Sequence, residues 1–201
     1  MEEKIMGTIA ISNRHLHLTE EVYNCLFDEA LTMKRPLNQI GEFAAIQTVT
    51  LKTKKTEIPN VRIVGPFRDY NQVEISRRDA RMLGLNPPVR QSGDLEDSEA
   101  ITIVGPKGEV TLENACILAE RHIHMNAQKA EELGLKNEEP VTLIINNDKS
   151  GTMEAFVKVT KNGFYEIHID TDDANCFLLN TGDTVEIQKV EIKRERKDII
   201  D

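Results

Sequence analysis

The chain has 201 residues, of which 39% are apolar and 29% are charged, so it can form one large globular domain or two small ones. Aromatic residues make up only 4% and Trp is absent, which predicts a core built from Ile, Val and Leu. The net charge of −9 argues against general nucleic-acid binding, and no run approaches the roughly 20 apolar residues that a membrane span needs.

The N-terminal residues lack the basic flank and the apolar stretch of a signal peptide, which predicts a cytoplasmic protein. The cysteines Cys25, Cys116 and Cys176 are widely scattered along the chain. Such a set suits reduced thiols and does not indicate a disulfide framework.

Short segments rich in Val, Ile and Thr recur along the chain and predict β-strands. In chain order these segments are 7–11, 45–51, 58–64, 100–104, 109–112, 115–119, 141–145, 154–159, 164–169 and 183–187. Turn residues such as Gly65-Pro66 and Gly105-Pro106 separate them. This spacing favours a mainly β protein of the α+β kind, with small barrels or sandwiches, over a Rossmann sheet, which needs longer helices between its strands.

A segment of low periodicity, residues 86–99, contains Pro87-Pro88 and Ser92-Gly93 and predicts a domain boundary. The first domain is then expected to span 1–92 and the second 93–190. A C-terminal strand at 183–190 is a candidate for completing the first domain. Residues 191–201 are mostly charged and are predicted to form a tail.

An internal repeat becomes visible when His17, Glu74, His124 and His168 are aligned. The next position is always apolar, and the one after it is a favoured helix N-cap: Thr19, Ser76, Asn126 and Asp170. Gly84 and Gly134 follow in two copies, where a short helix would end. The repeated unit is therefore predicted to be a strand, an N-cap and a two-turn helix.

All five histidines lie in this repeat, and four of them form the pairs His15-Leu16-His17 and His122-Ile123-His124. Alternate side chains of a strand point to the same face, so each pair can converge on one divalent ion. The alternative to a metal site is a surface strand with two solvated imidazoles. The occurrence of two such pairs at equivalent positions of the repeat makes this alternative less favourable. With His168 and Glu74, the set offers three ligands to each of two metals, and nitrogen and oxygen ligands favour zinc.

Basic residues are concentrated in positions 34–90 of an otherwise acidic chain, which indicates either a site for a phosphorylated ligand or a solvated surface. Within this region, Arg68 lies six residues before Glu74 and could hold an anion against a metal. A surface arginine paired with Asp69 is the alternative interpretation.

Five segments carry a combined set of motifs: Ser12-Asn13-Arg14-His15-Leu16-His17-Leu18, Val73-Glu74-Ile75-Ser76-Arg77, residues 86–95, Arg121-His122-Ile123-His124-Met125 and residues 168–175. In combination these motifs resemble one known family, the phosphate acyltransferases of the propanediol-utilisation type, also called phosphate propanoyltransferases. The resemblance runs from about residue 6 to 190, with the segments in the family's order.

The resemblance implies two tandem β-barrels with short capping helices and a site with two Zn²⁺ ions. It implies that acyl-CoA plus phosphate is interconverted with acyl phosphate plus CoA. By motif, His15, His17 and Glu74 would bind one zinc, and His122, His124 and His168 the other. Arg68 would bind phosphate, and Ile11, Ser12 and Asn175 would contact CoA.

Microcompartment members of this family carry an amphipathic N-terminal extension, for which too few residues precede the first histidine pair here. A free cytoplasmic enzyme, acting on small molecules and with a homodimer as a plausible assembly, is therefore expected. The absence of an activated Ser or Cys predicts direct transfer without an acyl-enzyme. A dizinc phosphoesterase and a non-enzymatic metal-binding or sensor protein remain as alternatives.

Overall fold

The computed structural model describes residues 4–190, which form fourteen strands and four short helices. The strands are β1 (Ile5–Ser12), β2 (His15–His17), β3 (Met33–Pro36), β4 (Phe43–Lys52), β5 (Glu57–Gly65), β6 (Gln72–Glu74), β7 (Val89–Arg90), β8 (Glu99–Val104), β9 (Glu109–Ala119), β10 (His122–Met125), β11 (Pro140–Ile145), β12 (Gly151–Val159), β13 (Glu166–Asp170) and β14 (Thr184–Lys189). The helices are α1 (Glu20–Leu26), α2 (Arg77–Leu83), α3 (Ala127–Leu133) and α4 (Thr171–Phe177). The predicted tail, 191–201, lies outside the described residues.

The first barrel is a closed ring of six strands in the order β4-β5-β2-β6-β9-β8, because β8 pairs with both β9 and β4. Two short strands extend it: β3 pairs with β4, and β7 pairs with β9. Its core is aliphatic, with Leu16, Val49, Ile63 and Ile103 fully or almost fully buried.

The second barrel closes in the order β1-β13-β10-β12-β11-β14. Strand β1 lies between β13, to which it is parallel, and β14, to which it is antiparallel. Ile9, Ile123, Leu143 and Ile167 fill its core without solvent exposure. The expected mainly β fold of two barrels with short helices is thus confirmed, and so is the aliphatic core.

The expected division at 92/93 does not coincide with the two barrels. Strands β8 and β9 follow residue 93 but close the first barrel, whereas β1 begins the chain and belongs to the second. The C-terminal strand β14 pairs with β1 and β11, so it completes the second barrel and not the first. The second barrel takes up both terminal strands because β1 pairs with β14, more than 170 residues away in the chain. Local composition does not encode a pairing over such a distance.

The four helices begin where the repeat predicts. The side chains of Thr19, Ser76, Asn126 and Asp170 each accept a hydrogen bond from a backbone N–H two or three residues later in the first turn of their helix. At the other end, Gly84 and Gly134 adopt the left-handed conformation and terminate α2 and α3. Every copy of the module therefore places the residue aligned in the repeat within the last three residues of a short strand.

Most predicted strands lie within one or two residues of those observed, with two differences. Segments 109–112 and 115–119 form one strand, β9, whose pairing with β8 shifts register around the residues that precede Cys116. Strands β3 and β7 are not predicted because they are short and lack alternation; all four residues of β3 are exposed. No helix among residues 4–190 is long and apolar enough to cross a membrane.

Candidate metal centre

The first ligand group consists of His15, His17 and Glu74. Both histidines lie on β2, and Glu74 ends β6, which is antiparallel to β2 with His15 opposite Glu74. His15 Nε2 is 3.6 Å from Glu74 Oε2, and one ligand atom from each of the three side chains lies within 4.8 Å of the others. Strand pairing and the two-residue period of a strand therefore bring together the three side chains that the sequence predicts as one ligand group.

Both imidazoles of this group are oriented by backbone carbonyls. His15 Nδ1 lies 2.9 Å from Asn13 O, and His17 Nδ1 lies 3.2 Å from Val64 O. Because a carbonyl only accepts, each Nδ1 carries the proton and donates it, and each Nε2 keeps a free lone pair. This is the usual way in which a metal-binding histidine is held in the correct tautomer.

Glu74 is buried and is held by a neighbour that the sequence analysis does not single out. Gln72 Nε2 donates to Glu74 Oε1 over 2.6 Å, and Gln72 itself is fixed by Gly93 N and Ser92 Oγ. Burial favours the neutral acid, but the neighbouring imidazoles of His15 and His122 and the cations Lys158 and Arg68 act in the opposite direction and hold the pKa of Glu74 below its ordinary value. The carboxylate is therefore ionised at neutral pH and able to bind a cation.

The second group consists of His122, His124 and His168. The first two lie on β10 and the third on β13, with His122 opposite His168 in the antiparallel pair. The three rings are packed with centroids 4.6 to 5.3 Å apart. One ligand atom from each again lies within 4.8 Å of the others.

Hydrogen bonds orient two of these three imidazoles. His122 Nδ1 donates to Glu120 O over 2.7 Å, and His168 Nε2 lies 3.0 Å from Glu166 Oε2. The other oxygen of Glu166 accepts from Asn38 Nδ2 at 2.7 Å, so a loop of the first barrel supports a ligand on the second. A carboxylate behind a histidine is a common outer partner in metal sites.

The donor atoms of the second group have the spacing expected for ligands of one metal ion. His122 Nε2 and His124 Nε2 are 3.1 Å apart, close to the separation of about 3.3 Å between two nitrogens bound tetrahedrally to one zinc. Among residues 4–190, the buried His124 Nδ1 has no hydrogen-bond partner. Burial, with repulsion from the neighbouring imidazoles, lowers the pKa of His122 to about 4 and that of His124 to about 2. Both rings are therefore neutral at pH 7, as a metal requires.

An ion pair of the same kind stands beside each ligand group. Arg14 Nε is 2.9 Å from Asp79 Oδ2, and Arg121 forms a two-pronged pair with Asp173 at 2.7 and 2.8 Å. Each arginine immediately precedes a histidine pair, and each aspartate lies in the first turn of the helix after the third ligand. The two pairs thus tie each His-x-His strand to the helix of the segment that carries its third ligand.

Arg68 lies close to the first group and is three-quarters buried, with 23% of its side chain exposed. Its Nη1 donates to the hydroxyls of Tyr70 and Ser92, and its Nη2 is 2.8 Å from Glu42 Oε1. The ion pair is therefore with Glu42 and not with Asp69. The charge of Arg68 also lowers the pKa of His17, after burial and His15, so the guanidinium lies within electrostatic range of the ligands.

Comparison with known proteins identifies the family. The family model for phosphate propanoyltransferase matches residues 8–180. The chain belongs to the phosphate propanoyltransferase family. It is 44% identical to the phosphate propanoyltransferase of Thermotoga maritima over 89% of this chain and 87% of that protein. Proteins of the same name from Rhodopseudomonas palustris and Priestia megaterium are 41% and 44% identical, over 90% and 88% of this chain and 81% and 82% of their own lengths.

Membership of this family makes the protein an enzyme of the acyltransferase class. The three residues expected to contact CoA lie near the second ligand group of this enzyme. Ile11 and Ser12 end β1 opposite Ile169 and Asp170 of β13, and the exposed Asn175 lies on α4, which packs on β1. His168 stands one residue earlier on β13, opposite Ala10.

An open cleft of about 630 Å³ adjoins α4. Its lining contains three arginines of the basic region, Arg77, Arg78 and Arg81, together with Met82 and Asp172. The carboxylate of Asp172 accepts a hydrogen bond from Arg78 N at 2.7 Å, which joins α2 of one barrel to α4 of the other. Part of the basic region therefore faces the helix that carries Asn175.

Sequence reasoning misses Gln72, Glu166 and Lys158. Gln72 and Glu166 each lie two residues before a ligand, so the two-residue period could have found them. Lys158 offers no such signal, because a lysine in an alternating strand is typical of a solvent-exposed face. Only the pairing of β12 with β10 places it beside His124.

Proposed function

We propose that this enzyme interconverts a short-chain acyl-CoA plus phosphate with an acyl phosphate plus CoA at a centre that holds two zinc ions. One observation carries the proposal: His15, His17 and Glu74 in one group, and His122, His124 and His168 in the other, each bring three ligand atoms within 4.8 Å of one another. Three ligands to each ion leave a coordination position open, which is typical of catalytic and not of structural zinc. The nitrogen and oxygen donors favour zinc, as the neutral imidazoles also do.

His15, His17 and Glu74 would hold one ion, and His122, His124 and His168 the other. Zinc bound in this way supplies a Lewis acid for phosphate and carbonyl oxygens and favours a thiolate leaving group. Arg68 would bind phosphate through its guanidinium, which Tyr70 and Ser92 already orient. A bidentate contact removes the freedom of the phosphate and directs one oxygen towards the thioester carbonyl.

No cysteine among the described residues is suited to carry the acyl group. Cys116 is buried in the core of the first barrel, where burial raises the pKa of its thiol to about 12. Cys25 and Cys176 are exposed on α1 and α4, outside both ligand groups. We therefore infer direct transfer, in which the phosphate oxygen forms the new bond to the acyl carbon and the carbon–sulfur bond breaks to release CoA. Replacing all three cysteines should leave turnover intact.

CoA would lie along α4, with Ile11, Ser12 and Asn175 as contacts. The arginine-lined cleft beside this helix would receive the CoA phosphates, since guanidinium groups bind phosphate in a planar, two-pronged manner. Arg81→Gln should raise the KM for CoA several-fold, about the loss of one exposed charge contact, with the KM for phosphate unchanged. Arg35→Gln, an exposed arginine on β3, is the matched control.

The test of the proposal combines metal analysis with a coupled assay. Purified protein should contain about two zinc ions per chain, and His15→Ala and His124→Ala should each lose one of them together with turnover. Acetyl, propanoyl and butanoyl phosphate are each offered with CoA, and the rates give the acyl-chain preference. Wild-type activity after complete and verified metal removal would contradict the proposal. Phosphate release that does not need CoA would indicate a phosphoesterase, and zinc binding without turnover would indicate a metal-binding protein.

Two further expectations stay predictions. A homodimer is tested by size-exclusion chromatography with light scattering, and a cytoplasmic location by cell fractionation.

A further inference from the structure

Lys158 lies beside the second ligand group on the outer face of its barrel. Along β12 the side chains of Ala155 and Val157 point into the core, so those of Phe156 and Lys158 point outwards. The parallel pairing of β12 with β10 places Lys158 next to His124, across a strand separation of about 4.8 Å. The lysine therefore shares a face with the two histidines of β10.

This ammonium group is partly withdrawn from water but has no direct counter-ion within the described part of the chain. No carboxylate oxygen of residues 4–190 lies within 4.0 Å of its Nζ, whereas Lys4, Lys52 and Lys107 each form such a pair. Burial lowers the pKa of Lys158, and Arg68 acts in the same direction, while Glu74 and Glu42 raise it. A half-buried cation without a partner is costly unless an anion binds there.

The charge of Lys158 reaches both ligand groups. It lowers the pKa of Glu74 and His17 in the first group and of His122 and His124 in the second, each after larger effects of burial and nearer neighbours. Arg68 acts on ligands of both groups as well, through Glu74 and His124. One cation from each barrel thus lies within electrostatic range of the same centre.

We propose that Lys158 contacts the phosphate of the substrate, inorganic phosphate in one direction and the phosphoryl group of the acyl phosphate in the other. Arg68 from the first barrel and Lys158 from the second would hold the same anion from two sides. A compact ammonium suits this role because it can follow the phosphate as the acyl group is transferred, whereas the guanidinium fixes its orientation. The inference rests on the proposed function, since it assigns a residue to the phosphate of that reaction.

The test compares Lys158→Met, which removes the charge and keeps the chain length, with Lys158→Arg, which restores a cation. Lys161→Met is the matched control, because Lys161 is an exposed lysine three residues away. Zinc content is measured first, and all variants should retain the wild-type value. Lys158→Met should raise the KM for phosphate by roughly 10- to 100-fold, the loss of one charge-assisted hydrogen bond. The KM for acyl-CoA should stay within about twofold of the wild-type value, since acyl-CoA does not bind through Lys158.

Binding without turnover gives a second readout. Calorimetric titration of inorganic phosphate into the zinc-loaded protein should show weaker binding to Lys158→Met and recovery in Lys158→Arg. Because the methionine variant could fold poorly, wild-type protein is also labelled with acetic anhydride. Phosphate should then protect Lys158, but not Lys161, from acetylation.

Unchanged phosphate binding in a folded Lys158→Met variant, or labelling of Lys158 that phosphate does not reduce, would overturn the proposal. Equal increases in both KM values would assign Lys158 a general structural role and would also overturn it. These results differ from failure of the proposed function, which appears as absence of transacylation in the wild-type enzyme itself.

Discussion

Gly163 offers a test of how closely the second ligand group depends on its supporting loop. The residue is buried between β12 and β13, where the loop crosses the backbone of Met125, the residue after His124. Thr160 N donates to Met125 O at 3.0 Å in the same place. In Gly163→Ala the new Cβ would lie 2.5 Å from the carbonyl carbon of Met125 and 3.0 Å from its nitrogen. Both distances are well inside van der Waals contact.

Relief of this overlap requires the loop to move away from β10 by about 1 Å. Overpacking of this kind costs about 1–3 kcal/mol. Loss of the hydrogen bond from Thr160 to Met125 adds about 1 kcal/mol. The free energy of unfolding should therefore fall by about 2–4 kcal/mol. Since His124 immediately precedes Met125, whose carbonyl loses this hydrogen bond, the second zinc should also be lost more readily to a competing chelator.

Urea denaturation measures the first effect and chelator competition the second. Gly108→Ala is the matched control, because its Cβ would meet only Cys25 O at an ordinary 3.5 Å. We expect that control to change the unfolding free energy by no more than about 0.5 kcal/mol. A Gly163→Ala variant with wild-type stability and wild-type zinc retention would refute the reasoning.

Three other results are expected. Because the pKa values of His122 and His124 are lowered, the unfolded chain takes up protons between pH 7.5 and 5 that the folded, metal-free protein does not. The free energy of unfolding of the metal-free protein should therefore fall by up to about 2 kcal/mol per histidine over this range. Urea denaturation should show a shallower pH dependence in His124→Asn. Arg121→Gln should cost less than about 1 kcal/mol, since its pair with Asp173 is partly exposed, yet speed zinc loss to a chelator. Ser76→Ala removes the N-cap of α2, and thermal denaturation should register a loss of about 1 kcal/mol.

Local chemistry made the modules predictable. An N-cap such as Ser76 acts on a backbone group three residues away, and the left-handed Gly84, eight residues after Ser76, ends the helix. The two-residue period of a strand likewise places His122 and His124 on one face without reference to the rest of the fold. Helix caps and strand periodicity depend only on residues that are close together in the chain, so the sequence contains these signals in full.

The assembly of these modules was decided by contacts between distant segments. Which barrel β1 joins depends on its pairing with β13 and β14, and a local segment cannot express a preference between partners that lie more than 150 residues away. The same holds at the metal centre. The six candidate ligands are readable from the sequence because they repeat. The support of Glu166 by Asn38 and the position of Lys158 beside His124, by contrast, arise only when strands and loops far apart in the chain are paired. Sequence alone therefore determined the chemistry of the ligands, and tertiary structure decided which charges surround them.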